Sequence, residues 1–113
     1  MKNDTNRQVM QLFSSFADET RLKIILALAE KPRTVNDIHS QLGKSNLTLS
    51  AISHQLKQLS DLNIITYERK GKEKTFTLSD KVCWCMLKDA FKQFGQKLNI
   101  ECKKCSMKGD KHK

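Results

Sequence analysis

Four cysteines stand in two close pairs near the end of this 113-residue chain. Cys83 and Cys85 sit at i and i+2 in "CWCM", and Cys102 and Cys105 at i and i+3 in "ECKKC". Thiolates are soft donors, so such a set suits Zn(II), Cd(II), Cu(I), Pb(II) or As(III) better than a hard cation. The same thiols can instead be oxidised to a disulfide or capped as persulfides, and the lysines inside "CKKC" favour thiolate chemistry. Cys85 also falls near an apolar stripe, where a thiol can serve as plain packing. Metal binding, redox or sulfur-species sensing, and burial therefore all remain open from the residues alone. Spacing sets a geometric demand as well. Residues at i and i+2 lie about 200° apart on a regular helix, so Cys83 and Cys85 converge only if one of them sits in an irregular first turn.

The rest of the chain limits what these thiols can serve. No paired carboxylates, phosphate-cradling glycine loop or nucleophile-with-base pattern appears, which argues against an enzyme. Lys and Arg outnumber Asp and Glu by 21 to 12, for a formal charge of +9. That balance fits a polyanionic partner, nucleic acid above all, because neutralised phosphates release counterions. The hydrophobic fraction is 38 %, thin for a chain this short, and a thin core favours dimerisation. No secretory leader and no run of transmembrane length is evident, so a cytoplasmic protein with reduced thiols and no membrane partner is expected.

One proline and four glycines predict a mainly α-helical chain. Residues 1–7 are polar and expected to be a flexible N-terminus. Val9, Leu12, Phe13 and Phe16 share one face of a first helix. Asp18 is placed to N-cap a second helix, "ETRLKIILALAE", which ends before Pro32. Thr34 caps a third, with Asp37 at the capping-box position. After the turn "KSN", Thr48 caps a fourth, turning Leu49, Ile52, Leu56, Leu59 and Leu62 inward. "IITYERKGKEKTFTLS" then reads as a β-hairpin with Gly71 at its tip. Ser79 or Asp80 is expected to open a last helix with a stripe of Val82, Met86, Leu87, Ala90, Phe91, Phe94 and Leu98. The order α-α-α-α-β-β-α is that of a winged helix-turn-helix domain over residues 8–100, followed by a basic, Cys-containing tail, 101–113.

In that arrangement the fourth helix offers a polar face to the major groove. Ser50, Ser53, His54 and Gln55 can meet base edges, Lys57 can meet phosphate, and the helix N-terminus at Thr48 also suits phosphate. The hairpin carries Arg69, Lys70, Lys72 and Lys74, which fit a wing lying along the backbone or minor groove and which also protect an edge strand.

"FADETRLKIILALAE" and "LTLSAISHQLKQLSDLNIITYERKGKEKTFTLSD" resemble the second helix, recognition helix and wing of the ArsR/SmtB family of repressors, over about residues 9–95. The resemblance implies a homodimeric repressor that binds a palindromic double-stranded DNA operator. It further implies a dimer interface built from the first and last helices, and an effector that weakens DNA binding. Two of the family's metal sites do not carry over. The third helix, "TVNDIHSQL", has no cysteine. Of the positions matching a site on the last helix, Asp80 fits, but Val82, Gln93 and Gln96 are poor zinc ligands. The cysteines remain. A continuous helix would separate the two pairs by roughly 28 Å, and in the family's dimer the last helices cross nearly antiparallel. An inter-subunit site is therefore expected, with Cys83 and Cys85 of one chain facing Cys102 and Cys105 of the other around an ion such as Zn(II), Cd(II) or As(III). The alternatives are a thiol-redox or sulfur-responsive repressor and an architectural nucleic-acid-binding protein without a sensor.

Overall fold

A computed structural model of the chain describes residues 3–43 and 47–104. The chain forms two compact units, Met1–Leu78 and Ser79–Lys113. The first unit holds α1 (Asn3–Ala17), α2 (Glu19–Glu30), α3 (Val35–Gln41), α4 (Leu49–Asp61), β1 (Ile65–Lys70) and β2 (Glu73–Leu78). The second holds α5 (Cys85–Lys92). This is the expected winged helix order.

Local chemistry sets most boundaries in the first unit. The Asp18 carboxylate accepts from Arg21 N–H at 2.9 Å and starts α2. Thr34 and Asp37 form a reciprocal capping box at the start of α3, with both side-chain to backbone bonds at 3.1 Å. Those bonds to Thr34 hold the Asp37 carboxyl below its ordinary pKa, because both favour the charged form. Thr48 Oγ1 accepts from Ala51 N–H and opens α4. That helix ends in a Schellman motif. Asn63 adopts φ 62°, its N–H reaches Ser60 O, and Ile64 N–H reaches Leu59 O. Asparagine tolerates this left-handed position better than most residues. The α1 helix begins at Asn3, earlier than the polar composition of residues 1–7 suggested.

The core of this unit is Ile24, Ile25, Ala27 and Leu28 from α2, Ile38 from α3, Ile52, Leu56 and Leu59 from α4, and Ile64, Ile65 and Phe76. α3 packs on α4, α1 on α2, and the hairpin on α2, α3 and α4. Leu49 was expected inside, but at the first helical position it reaches beyond this layer and is 43 % exposed. Val9, Met10 and Phe13 of α1 are likewise exposed.

The hairpin is antiparallel, with Ile65 opposite Leu78 and Lys70 opposite Glu73. That register leaves Gly71 and Lys72 as a two-residue loop. Gly71 has φ 63°, and Lys72 is not among the residues with positive φ. This is the φ pattern of a type II′ turn, whose twist matches the strands it joins. Arg33 adds a one-residue bridge to β2, exchanging both backbone hydrogen bonds with Phe76. Its buried guanidinium donates to Ala27 O at 2.8 Å and pairs with Glu30. Arg33 thereby satisfies a carbonyl at the C-terminus of α2, where four have no helical partner.

The second unit departs from the sequence reading. No helix starts at Ser79 or Asp80. Ser79 Oγ instead accepts from Lys81 N–H at 3.1 Å, and Ser79 O accepts from the indole N–H of buried Trp84 at 2.8 Å. These bonds fold 79–84 into a turn, and α5 starts only at Cys85. The far end is cut short by a second Schellman motif. Gly95 N–H donates to Lys92 O, Gln96 N–H donates to Phe91 O, and Gly95 takes φ 74°. The stripe predicted through Phe94 and Leu98 is therefore interrupted, and Phe94 is 83 % exposed. A Cβ at Gly95 would meet nothing within 4 Å, so its cost is purely conformational. Gly95→Ala is expected to lower the unfolding free energy by roughly 1 kcal/mol in urea denaturation. An unchanged midpoint would show that the left-handed turn is not required.

Candidate functional site

The second unit gathers thiols. Cys83 lies in the turn before α5 and Cys85 is its first residue, so the pair escapes the 200° separation of a regular helix. Beyond Gly95 the chain returns along 96–101 and delivers Cys102. The Sγ atoms of Cys83, Cys85 and Cys102 all lie within 4.8 Å of one another, and those of Cys83 and Cys102 are 3.9 Å apart. The separation of about 28 Å expected for a continuous helix does not hold for Cys102: α5 has eight residues, and the chain folds back. The distance argument that sent the site across two subunits falls with it. Cys105 lies outside the described residues.

This spacing suits a metal or metalloid centre. Sulfurs at about 2.3 Å from a tetrahedral Zn(II) lie roughly 3.8 Å from each other, close to the Cys83–Cys102 separation. Cys85 and Cys102 are buried and Cys83 is half-buried. Burial favours a shielded ligand set over an exposed reactive thiol. An ion pair between Lys103 and Asp80, at 3.7 Å, ties the segment bearing Cys102 to the turn bearing Cys83. Among the described residues the group consists of these three sulfurs alone, and all three are soft donors.

The first unit carries the other predicted residues. On α4, Ser50, Ser53, His54 and Lys57 are exposed, as expected of a reading face, and Thr48 stands exposed at the N-cap. Lys57 pairs with Asp61 at 3.3 Å, a surface contact that a phosphate can replace at little cost. Gln55 is only partly available. It is half-buried, and its Oε1 accepts from Arg21 Nε at 2.7 Å. The other guanidinium arm donates to Gln58 Oε1 at 2.6 Å, and Gln58 Nε2 lies 3.2 Å from His54 Nε2. Neither Arg21 nor Gln58 was singled out from the sequence. The signal available was weak: two glutamines three apart on the polar side of α4, and an arginine in the first turn of α2.

At the wing, Arg69, Lys70 and Lys72 are exposed around the tip. Lys74 is half-buried, with its ammonium 4.5 Å from the Tyr67 ring centroid. Tyr67 in turn packs against Phe76 at 5.5 Å. Lys74 is therefore partly held by a cation–π contact, and the three tip residues carry the freer charge.

Comparison with known proteins bears on the family and the fold. The profile described as "Bacterial regulatory protein, arsR family" matches residues 18–67. The chain is 35 % identical over 81 residues to the arsenical resistance operon repressor of Bacillus subtilis, covering 71 % of this chain and 74 % of that protein. It is 34 % identical over 80 residues to the transcriptional repressor SmtB homolog of Synechocystis, covering 71 % of this chain but 58 % of that protein. The match to that relative thus spans less than two thirds of its length. Among solved structures, HlyU from Vibrio cholerae superposes with a TM-score of 0.70 at 22 % identity, over 84 % of this chain and all of that one. That likeness concerns the fold.

Replacing Cys83, Cys85 or Cys102 with Ser is expected to weaken Cd(II) binding at least about 100-fold, since even outer-shell changes cost 10–100-fold. Loss of the thiolate-to-Cd(II) charge-transfer absorbance reads this directly, with circular dichroism as the folding control. An unchanged titration for any one variant removes that residue from the site.

Proposed function

The chain belongs to the ArsR family of bacterial regulatory proteins, and from that premise we propose that it is a homodimeric, DNA-binding transcriptional repressor whose effector is a soft metal or metalloid ion bound by thiolates. The DNA-binding half rests on α4. This helix is capped by Thr48, exposes Ser50, Ser53, His54 and Lys57, and precedes a hairpin tipped by Arg69, Lys70 and Lys72. Its polar face fits the major groove, and the basic tip fits the neighbouring backbone. The dimer is supported by α1, whose exposed Val9, Met10 and Phe13 form an apolar face that a second copy would cover. Two-fold symmetry in the protein then calls for a palindromic operator.

The sensing half is carried by one observation: three sulfurs from two stretches of one chain meet within 4.8 Å. Cys83, Cys85 and Cys102 would hold the ion, and Cys105 is the candidate fourth ligand. A bound Zn(II), Cd(II) or As(III) would supply strong bonds to all three sulfurs. It would thereby fix the return segment against the turn before α5. The relatives support an ion as effector, since one is named for arsenical resistance.

The 3.9 Å between Cys83 and Cys102 also favours a second reading. A peroxide-class oxidant could take two electrons and two protons from these thiols and leave a disulfide. The burial of Cys85 and Cys102 weighs toward metal.

One titration separates these readings. Operator DNA affinity is measured by fluorescence anisotropy for the reduced protein with chelator, with Cd(II) or As(III), and after mild peroxide. Metal is expected to weaken binding about 5–150-fold, the usual range of allosteric coupling, while peroxide acts little. Loss of affinity with peroxide alone, restored by reductant, would establish the redox reading. A response to neither would leave a nucleic-acid-binding protein without a sensor.

A further inference from the structure

Arg21 joins α2 to α4 through two charge-assisted hydrogen bonds, to Gln55 Oε1 at 2.7 Å and to Gln58 Oε1 at 2.6 Å. A guanidinium has donors and no acceptor, so both carboxamide oxygens must face it. This settles the orientation of the two amides. With its oxygen on Arg21, the Gln55 amide nitrogen carries two donors, and among the described residues it makes no hydrogen bond. The Gln58 amide nitrogen meets His54 Nε2 at 3.2 Å. As Gln58 Nε2 can only donate, His54 Nε2 must accept, which places the ring proton on Nδ1. In that tautomer the exposed His54 ring carries its one donor at Nδ1.

We infer that Arg21 is a specificity-positioning residue: by holding both glutamine oxygens, it makes this part of α4 present hydrogen-bond donors, and so selects base edges rich in acceptors, guanine above all. The inference rests on the reading of α4 as the DNA-reading helix. A freely rotating glutamine pairs bidentately with adenine, accepting from N6 and donating to N7. Gln55 cannot do this while its oxygen is bound to Arg21. Guanine offers two acceptors, O6 and N7, whereas adenine offers one acceptor beside a donor. A Gln55 carboxamide restricted to its donors therefore loses a partner at adenine and meets a like group at N6. The bonds to Arg21 are partly buried and involve a charge, which makes them hard to surrender during base contact.

The test is selection from a duplex DNA library randomised over one helical turn, using wild type, Gln55→Glu and Arg21→Met. Wild type is expected to prefer guanine over adenine roughly tenfold at one contacted position, the scale of a single base contact. Gln55→Glu keeps a partner for Arg21 but turns an acceptor outward, so the preferred base should change to cytosine, whose N4 donates. Arg21→Met frees both carboxamides and should admit adenine to within about threefold of guanine, while overall affinity falls little. Should Arg21→Met fail to fold in a thermal melt, Gln55→Glu decides alone. A Gln55→Glu motif identical to wild type, or a wild-type preference for adenine at that position, overturns the inference and leaves DNA reading intact. A folded wild type that enriches no sequence overturns the DNA-reading assignment of α4 and the inference together.

Discussion

The left-handed turn at Gly95 is the constraint on which the candidate sensor depends. With φ 74° and two reverse hydrogen bonds onto Phe91 and Lys92, it ends α5 after eight residues and reverses the chain. A side chain other than glycine pays a conformational cost in that region. Without the turn, the helix would carry Cys102 far from Cys83 and Cys85. With it, residues from the start and the end of the unit bring three thiols together. The turn before α5 does the complementary work. The Ser79 hydroxyl and carbonyl, bonded to Lys81 and Trp84, hold Cys83 outside the regular helix, where it can share a centre with Cys85.

The first unit obeys a different logic. Its stability comes from an apolar interior spanning α2, α3, α4 and the hairpin, and its orientation comes from a few buried or half-buried cations. Arg33 closes the end of α2 and bridges to β2. Arg21 ties the start of the same helix to α4. Both use the planar guanidinium, which can serve two acceptors at once in a way that lysine cannot. The exposed polar row of α4 is therefore mounted on a fixed support, which is the condition for a side chain to discriminate between bases rather than merely touch them.

Much of this was legible in the residues. Asp18, Thr34 and Thr48 announced three helix starts, because a short side-chain acceptor satisfies backbone N–H groups nowhere else so well. The alternation of hairpin and tip, and the exposed faces of α4 and the wing, followed from local pattern. The thiol cluster did not. Gly95 is visible in the sequence, yet the apolar residues Phe94 and Leu98 continue the helical period past it, and periodicity alone favours a longer helix. Ser79 likewise reads as a cap for a helix or for a turn. The turn forms here, and the Trp84 indole donates to the Ser79 carbonyl within it. The link between Arg21 and the glutamines spans 34 and 37 positions, a tertiary pairing that no local rule reports.

A sensor built within one chain differs physically from one shared between two. Its ligands are tethered by the fold, so their effective concentration does not depend on dimer assembly. The decisive measurement is Cd(II) binding in an equimolar mixture of two variants, one carrying Cys83→Ser with Cys85→Ser and the other Cys102→Ser with Cys105→Ser. The single-chain site predicts that the mixture binds no more tightly than either variant alone. Recovery of a tight thiolate site, up to one per mixed dimer, would contradict it and place the ligands across two subunits.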